Sequence, residues 1–189
     1  MEETIWHGGF YELTMEFSVA IKLQHVVQTL NKAPHFSGFW RDRTAYHEEP
    51  ELFSSDKFYG YLLVDDAKLP CLISLLEGEG QSNWLDISIP QGAFSKQFDY
   101  KYPLTIENNE WLNKVRSYFV ELAQHMYASH PFLLAVIGEE ASGYITAAEL
   151  STEHIKHFTF VMSCETFKQV DIVHDAVEFV DGLAICYTE

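Results

Sequence analysis

An unbroken apolar run over residues 132–137 lies between Pro131 and Gly138. A strand with one buried face alternates apolar and polar side chains, whereas a short run without alternation indicates a strand that is buried on both faces. We therefore expect this run to form the central strand of a single core. Glu139 and Glu140 follow it and are expected to lie exposed at the strand's end.

Two amphipathic helices are predicted from apolar residues at spacings of three and four. The longer covers about residues 109–129 and is stopped by Pro131. The shorter covers about residues 19–32, with Ser18 as its N-cap and Pro34 at its end. A third, brief helix is predicted up to about residue 157, because the Thr146–Glu149 spacing is that of a capping box.

The remaining patterns are typical of strands. Residues 11–17 alternate strictly, which predicts a strand with one face buried. Asp181-Gly182 predicts a hairpin turn, and Gly78-Glu79-Gly80 predicts another. Further strands are predicted over residues 58–64, 72–77, 84–89, 158–162, 176–180 and 183–187.

Together these elements predict an α+β fold in one domain over residues 1–189. The sheet is expected to be mostly antiparallel, because hairpins join several of its strands. The long helix (about 109–129) and the N-terminal helix (about 19–32) are expected to pack on it.

Residues 34–57 show neither period, and loops of this length are commonly functional. The segment contains Trp40, Arg41, Arg43 and Tyr46. Aromatic residues and arginine dominate the energetics of protein interfaces, so the segment is a candidate binding surface. The alternative is that its aromatic rings pack at the core edge while its arginines pair with local acids.

Composition describes a globular and strongly acidic chain: 47% of its residues are hydrophobic and its formal net charge is −16. Residues 139–189 contain ten acids against two lysines, a balance of −8, so the C-terminal part is expected to build an acidic face. Such a field repels nucleic acid and anionic membranes and favours a basic protein partner or a cation. A purely solvating acidic surface is the alternative.

Cysteine usage and the N-terminus bear on location. Cys71, Cys164 and Cys186 are odd in number, far apart and in apolar surroundings, which favours reduced, buried thiols of a cytoplasmic protein over disulfides or a zinc site. Met1-Glu2-Glu3 is acidic and begins no secretory signal. No apolar run approaches the roughly 18 residues that a membrane helix needs.

No catalytic, cofactor or metal site is predicted. Glu139 and Glu140 are adjacent, so on an extended chain they point to opposite faces and do not converge as an acid–base pair. At a turn the two glutamates could converge, and Asp86, on another strand, could join one of them. His154 and His157, three apart, lack a cysteine partner for zinc, and Ser142-Gly143 is not part of a nucleophile elbow.

Several short motifs carry a resemblance. Trp84-Leu85-Asp86, Pro90-x-Gly92, Pro131-Phe132, Gly138-Glu139 and Thr146-x-x-Glu149-Leu150 resemble a family of small bacterial proteins of unknown function, over about residues 84–150. The resemblance implies a bacterial, cytoplasmic, self-contained domain. In size, acidity and lack of catalytic motifs the chain is also similar to the immunity proteins of bacterial toxin systems, which present carboxylates to basic toxins.

The sequence therefore predicts a non-enzymatic, acidic protein-binding module that engages a basic or mixed-charge partner, without cofactors. The alternative is a small-molecule-binding protein or hydrolase-type enzyme with a cleft near Asp86, Glu139 and the Trp40–Arg43 loop. A homodimer subunit is a third possibility. The candidate binding surface comprises Trp40, Arg41, Arg43, Tyr46, Asp86, Glu139, Glu140 and Tyr144.

Overall fold

The computed structural model describes residues 1–40, 57–77, 83–170 and 177–187. Its strands are β1 (Phe10–Phe17), β2 (Phe36–Trp40), β3 (Lys57–Val64), β4 (Ala67–Glu77), β5 (Asn83–Pro90), β6 (Leu134–Glu139), β7 (Thr159–Ser163), β8 (Val177–Val180) and β9 (Leu183–Cys186). Its α-helices are α1 (Leu23–Leu30), α2 (Gln91–Gln97), α3 (Leu112–Ser129), α4 (Thr152–Ile155) and α5 (Cys164–Gln169).

The nine strands of the described residues belong to one sheet in the order β2-β3-β4-β5-β1-β6-β7-β9-β8, and every pairing among them is antiparallel. The predicted α+β fold, with a mostly antiparallel sheet and a long helix on it, is confirmed. The central strand of the sheet is β1. The prediction that residues 132–137 form the central strand was therefore wrong, because β6 is the next strand beside it. β6 lies beside β1, and four of its residues (Leu134, Ala135, Val136 and Ile137) are buried to at least 99%.

The two faces of the sheet have different covers. Residues of alternate parity on β1, such as Leu13 and Phe17, pack with α1, α2 and α3 in the larger apolar cluster. On the opposite face a smaller cluster joins Val136 and Phe160 to the segment that follows β6, through Ile145 and Leu150. β6 contributes to both clusters, which explains its unbroken apolar sequence.

The strand over residues 11–17 was predicted to have one buried face, and this was wrong. Glu12, Thr14 and Glu16 are buried as well, with 6%, 0% and 3% of their surface exposed. The segment after β6 covers this polar face. The alternating side chains of β1 therefore form one apolar face and one polar face, and both faces are buried. No local pattern contains that information, because the cover is about 130 residues away in the sequence.

The two main helices are shorter than predicted. α1 begins after Lys22, and Val19 is 64% exposed, so neither Ser18 nor Val19 belongs to the helix. α3 begins at Leu112, because the preceding Asn109 side chain is bonded to the backbone of the loop that leads into the helix.

Three other elements differ from the predictions. Residues 36–40 form edge strand β2, and α2 and α5 were not predicted, because each is too short to show a helical period. Glu149 Oε2 accepts the Thr146 N–H and hydroxyl, which is one half of the predicted capping box, but residues 147–149 form a turn and helix α4 is capped by Ser151 with His154 instead. The Asp181-Gly182 hairpin is confirmed, with φ of 49° and 82°; the turn predicted at residues 78–80 lies outside the described residues.

Within the described ranges, no helix is both long and apolar enough to span a membrane.

Candidate functional site

A cluster of buried carboxylates lies on the sheet face opposite α3. Glu12 and Glu16 project from β1, and Asp86 projects from β5, where it stands directly opposite Thr14. Asp86 is 4% exposed. Carboxylates are rarely buried to this degree unless other groups satisfy them.

Asp86 and Glu12 bind the segment after β6 at one residue, Ser142. The Ser142 hydroxyl donates to Asp86 Oδ2 over 2.7 Å, and the Ser142 N–H donates to Glu12 Oε2 over 2.8 Å. The remaining oxygens are also occupied, since Thr14 Oγ1 donates to Asp86 Oδ1 and Ser88 Oγ donates to Glu12 Oε1 over 3.0 Å.

Glu16 binds the same segment at Ala147, five residues after Ser142. Its Oε2 accepts the Ala147 N–H over 2.6 Å. The three acids, which we call the carboxylate clasp (Glu12, Glu16 and Asp86), thus hold residues 142–147 against the sheet. Charge-assisted hydrogen bonds of this type are stronger than neutral ones.

Burial changes the pKa of two of the clasp acids, Asp86 and Glu12. It raises the pKa of Asp86, while the Thr14 and Ser142 hydroxyls oppose this. Burial also raises the pKa of Glu12, opposed by the Ser142 N–H and the Ser88 hydroxyl and reinforced by the negative charge of Asp86. Raised carboxyl pKa values are typical of general acids. Here, however, the four carboxylate oxygens of Asp86 and Glu12 already accept hydrogen bonds from the protein. The geometry accounts for a structural role without a substrate.

Glu139 ends β6 and Glu140 follows it, and both bind local groups. Glu140 has a φ of 51°, and its Oε1 accepts the Phe10 N–H over 2.8 Å. Glu139 Oε1 accepts from Gln91 Nε2. Because Glu139 stands opposite Tyr11 and Asp86 stands opposite Thr14, the two acids lie on opposite faces of the sheet. The structure does not bring Asp86 and Glu139 together in one cleft.

The aromatic candidates lie apart from each other. Trp40 ends the edge strand β2, where its ring meets Tyr61 edge-on at 6.4 Å. Tyr144, two residues after Ser142, is 41% exposed, and its ring centroid lies 4.3 Å from that of Phe158. The other three candidates, Arg41, Arg43 and Tyr46, lie outside the described residues.

The described acids that follow Glu139 in the chain are exposed, and Glu178 and Asp181 lie in β8 and in the turn after it. We call the edge surface the set comprising Glu165, Phe167, Phe179 and Asp181; Glu178, next to Phe179 on β8, points to the opposite face of the sheet. Phe179 is 60% exposed, and its ring meets that of Phe167 on α5 edge-on at 5.5 Å. Glu178 Oε2 accepts the Tyr187 hydroxyl over 3.0 Å.

Sequence reasoning missed both the clasp and the aromatic pair of the edge surface. For Phe179, the signal was a large aromatic residue in a four-residue strand that ends in an exposed turn. For Glu12 and Glu16, the adjacent apolar strand β6 was a signal that β1 would be covered on both sides.

In the portion of the chain that is described, no group of three or more His, Cys, Asp or Glu side chains could hold a metal ion. The three cysteines are free; Cys71 and Cys186 are buried, whereas Cys164 at the start of α5 is partly exposed. Burial raises the pKa of Cys186 to about 11, so this thiol is protonated at neutral pH.

Comparisons with family models, with curated proteins and with solved structures gave no match.

Proposed function

We propose that this protein is a non-enzymatic, cytoplasmic binding module that engages a basic or mixed-charge protein partner, in the manner of an immunity protein. The observation that carries the proposal is the exposed Phe179 ring on edge strand β8, with Asp181 exposed in the following turn. An aromatic anchor followed by an exposed carboxylate matches a partner that offers a pocket with a basic residue at its edge.

Three further features support this function. The net charge of −16 accelerates encounter with a basic partner and repels nucleic acid. The unpaired Cys71, Cys164 and Cys186 suit a reducing compartment. The clasp carboxylates are occupied by protein groups, and this favours a structural role over catalysis for them.

Affinity capture from the native cell extract tests the proposal, with wild-type protein and the variants Phe179→Ser and Val19→Ser as baits. Val19 is the matched control, because it is 64% exposed and lies between β1 and α1, outside the edge surface. We expect one basic protein to be recovered in stoichiometric amount by wild type and Val19→Ser and to be lost with Phe179→Ser. Recovery of the same proteins by all three baits would overturn the proposal.

The homodimer alternative is tested by sedimentation of the purified protein at several concentrations. Two copies of a chain with a charge of −16 repel each other, so we expect a monomer. A dimer in wild type that dissociates in Phe179→Ser would identify a second copy as the partner and contradict the basic-partner proposal.

A further inference from the structure

A second feature, independent of the edge surface, is a cavity on the α3 side of the sheet. Its volume is about 310 Å³, within the range of about 300–1,000 Å³ typical of small-molecule sites. Its walls come from the loop before α3, the end of β6 and the start of β7, and Tyr11 of β1 lines it as well. Four parts of the chain that are distant in sequence thus meet around one space.

Tyr11 is the residue that points to a ligand. Its side chain is 5% exposed and packs between Phe119, stacked at 6.0 Å, and Phe94, edge-on at 6.3 Å. Its hydroxyl makes no hydrogen bond with any described residue. The hydroxyl oxygen keeps some solvent contact, and Tyr11 lines the cavity. A phenol within this cavity is therefore available to a bound molecule.

The wall facing Tyr11 is preformed. Asn109, 1% exposed, uses its side chain to bind the backbone of the loop before α3: its Oδ1 accepts the Lys101 N–H over 2.8 Å, and its Nδ2 donates to the carbonyls of Lys101 at 2.8 Å and Thr105 at 3.1 Å. These bonds fix residues 101–105 and orient Leu104 and Glu107, which line the cavity.

Charge decides the class of ligand. Two of the lining residues are the acids Glu107 and Glu139. A hydrogen bond from its own backbone N–H and another from the Thr105 hydroxyl lower the pKa of Glu107, which keeps it ionised. The lining lysine, Lys156, is already paired with Glu153 at 3.0 Å. His157 also lines the cavity, and the charge of Arg116 reaches Tyr11, so the excess of negative charge is local to Glu107 and Glu139; apolar side chains, Leu104, Ile137 and Phe158 among them, complete the lining.

We propose that this cavity binds a small organic amine with an apolar body, whose ammonium group lies near Glu107 and Glu139 and which hydrogen-bonds with the Tyr11 hydroxyl. A carboxylate-bearing ligand of the same shape would be repelled by the same acids. Such a site lies on the opposite face of the sheet from the carboxylate clasp and does not depend on the proposed protein partner.

Titration calorimetry with three probes of matched shape tests the class: 2-phenylethylamine (cation), 2-phenylethanol (neutral) and phenylacetate (anion). We expect the amine to bind at one site per chain, at least about tenfold more tightly than phenylacetate, because like charges repel the anion. Absence of amine binding, or tighter binding of phenylacetate, would overturn the proposal.

Two variants locate the site. Tyr11→Phe is expected to weaken amine binding about tenfold, the value of one hydrogen bond, without loss of stability because the removed hydroxyl is unpaired within the described structure. Glu107→Gln is expected to weaken it about threefold, since this carboxylate is exposed to solvent. Tyr102→Phe, at an 80% exposed tyrosine outside the cavity, is the matched control. Amine binding that is equal in all four proteins would place the amine elsewhere and refute the assignment.

Discussion

The carboxylate clasp makes a prediction about how stability depends on pH, and Asp86 is the residue to change. Replacement by Ala removes the acceptor for the buried Thr14 hydroxyl and for the Ser142 hydroxyl and leaves a small cavity. Each lost buried bond costs about 1–3 kcal/mol, so we expect Asp86→Ala to lower the free energy of unfolding by about 2–4 kcal/mol at pH 7.

Asp86→Asn is expected to behave differently. The amide keeps an acceptor for Thr14 and can donate to the Ser142 oxygen, while the buried charge is removed. The pKa of Asp86 is raised by burial above its ordinary 3.8, so the folded protein binds this proton more tightly than the unfolded chain. The contribution of Asp86 to stability is therefore complete below about pH 3.8 and is lost as pH rises through the folded-state pKa.

It follows that wild type should lose stability relative to Asp86→Asn as pH rises from about 4 to about 7, by about 1.4 kcal/mol for each unit by which the pKa is raised. Urea unfolding followed by tryptophan fluorescence at several pH values measures the difference. Asp66→Asn, at an exposed acid in the β3–β4 turn, shows the effect of removing a charge at the surface. If wild type instead gained stability relative to Asp86→Asn with rising pH, the clasp would stabilise the anion and the argument would be refuted.

Two further predictions concern the packing around the sheet. Gly138→Ala places a Cβ 2.3 Å from Phe158 Cδ1, so we expect a loss of about 1–3 kcal/mol in the free energy of unfolding. Gly143→Ala is the control: no atom lies within 4 Å of the added Cβ, but φ is 68°, so the loss should be only about 1 kcal/mol. Equal losses in the two variants would contradict the steric argument. His130 Nε2 lies 3.0 Å from Thr29 Oγ1, and burial lowers the pKa of His130. The unfolded chain therefore binds the proton more tightly, and the stability of the protein should fall as pH drops below about 6.5. His130→Gln should reduce this loss in thermal unfolding scans, and an unchanged pH dependence would contradict the role of His130.

Most of the fold follows from the sequence because its elements have local causes. The Asp181-Gly182 turn, the apolar stripe of α3 and the unbroken apolar run of β6 each reflect a physical requirement that neighbouring residues satisfy. The α+β class and the antiparallel pairing follow from these elements taken together.

The candidate sites could not be predicted as well, because the contacts that create them join residues far apart in the sequence. Glu12 and Glu16 look like solvent-facing residues of an alternating strand, and only the docking of Ser142 and Ala147 makes them buried. Likewise, nothing near Tyr11 in the sequence indicates that its hydroxyl would lie in a cavity formed with residues about 95 and 145 positions later.

The interface claim is tested most directly by the dissociation constant of the purified complex with the captured partner, measured against salt concentration for wild type, Phe179→Ser and Asp181→Asn. Asn preserves the turn, since Asn-Gly also favours positive φ. We expect affinity for wild type to fall steadily as salt rises, at least about tenfold weaker binding for Phe179→Ser, and a shallower salt dependence for Asp181→Asn. A dissociation constant that is independent of salt and the same in all three proteins would contradict the edge surface as the binding site.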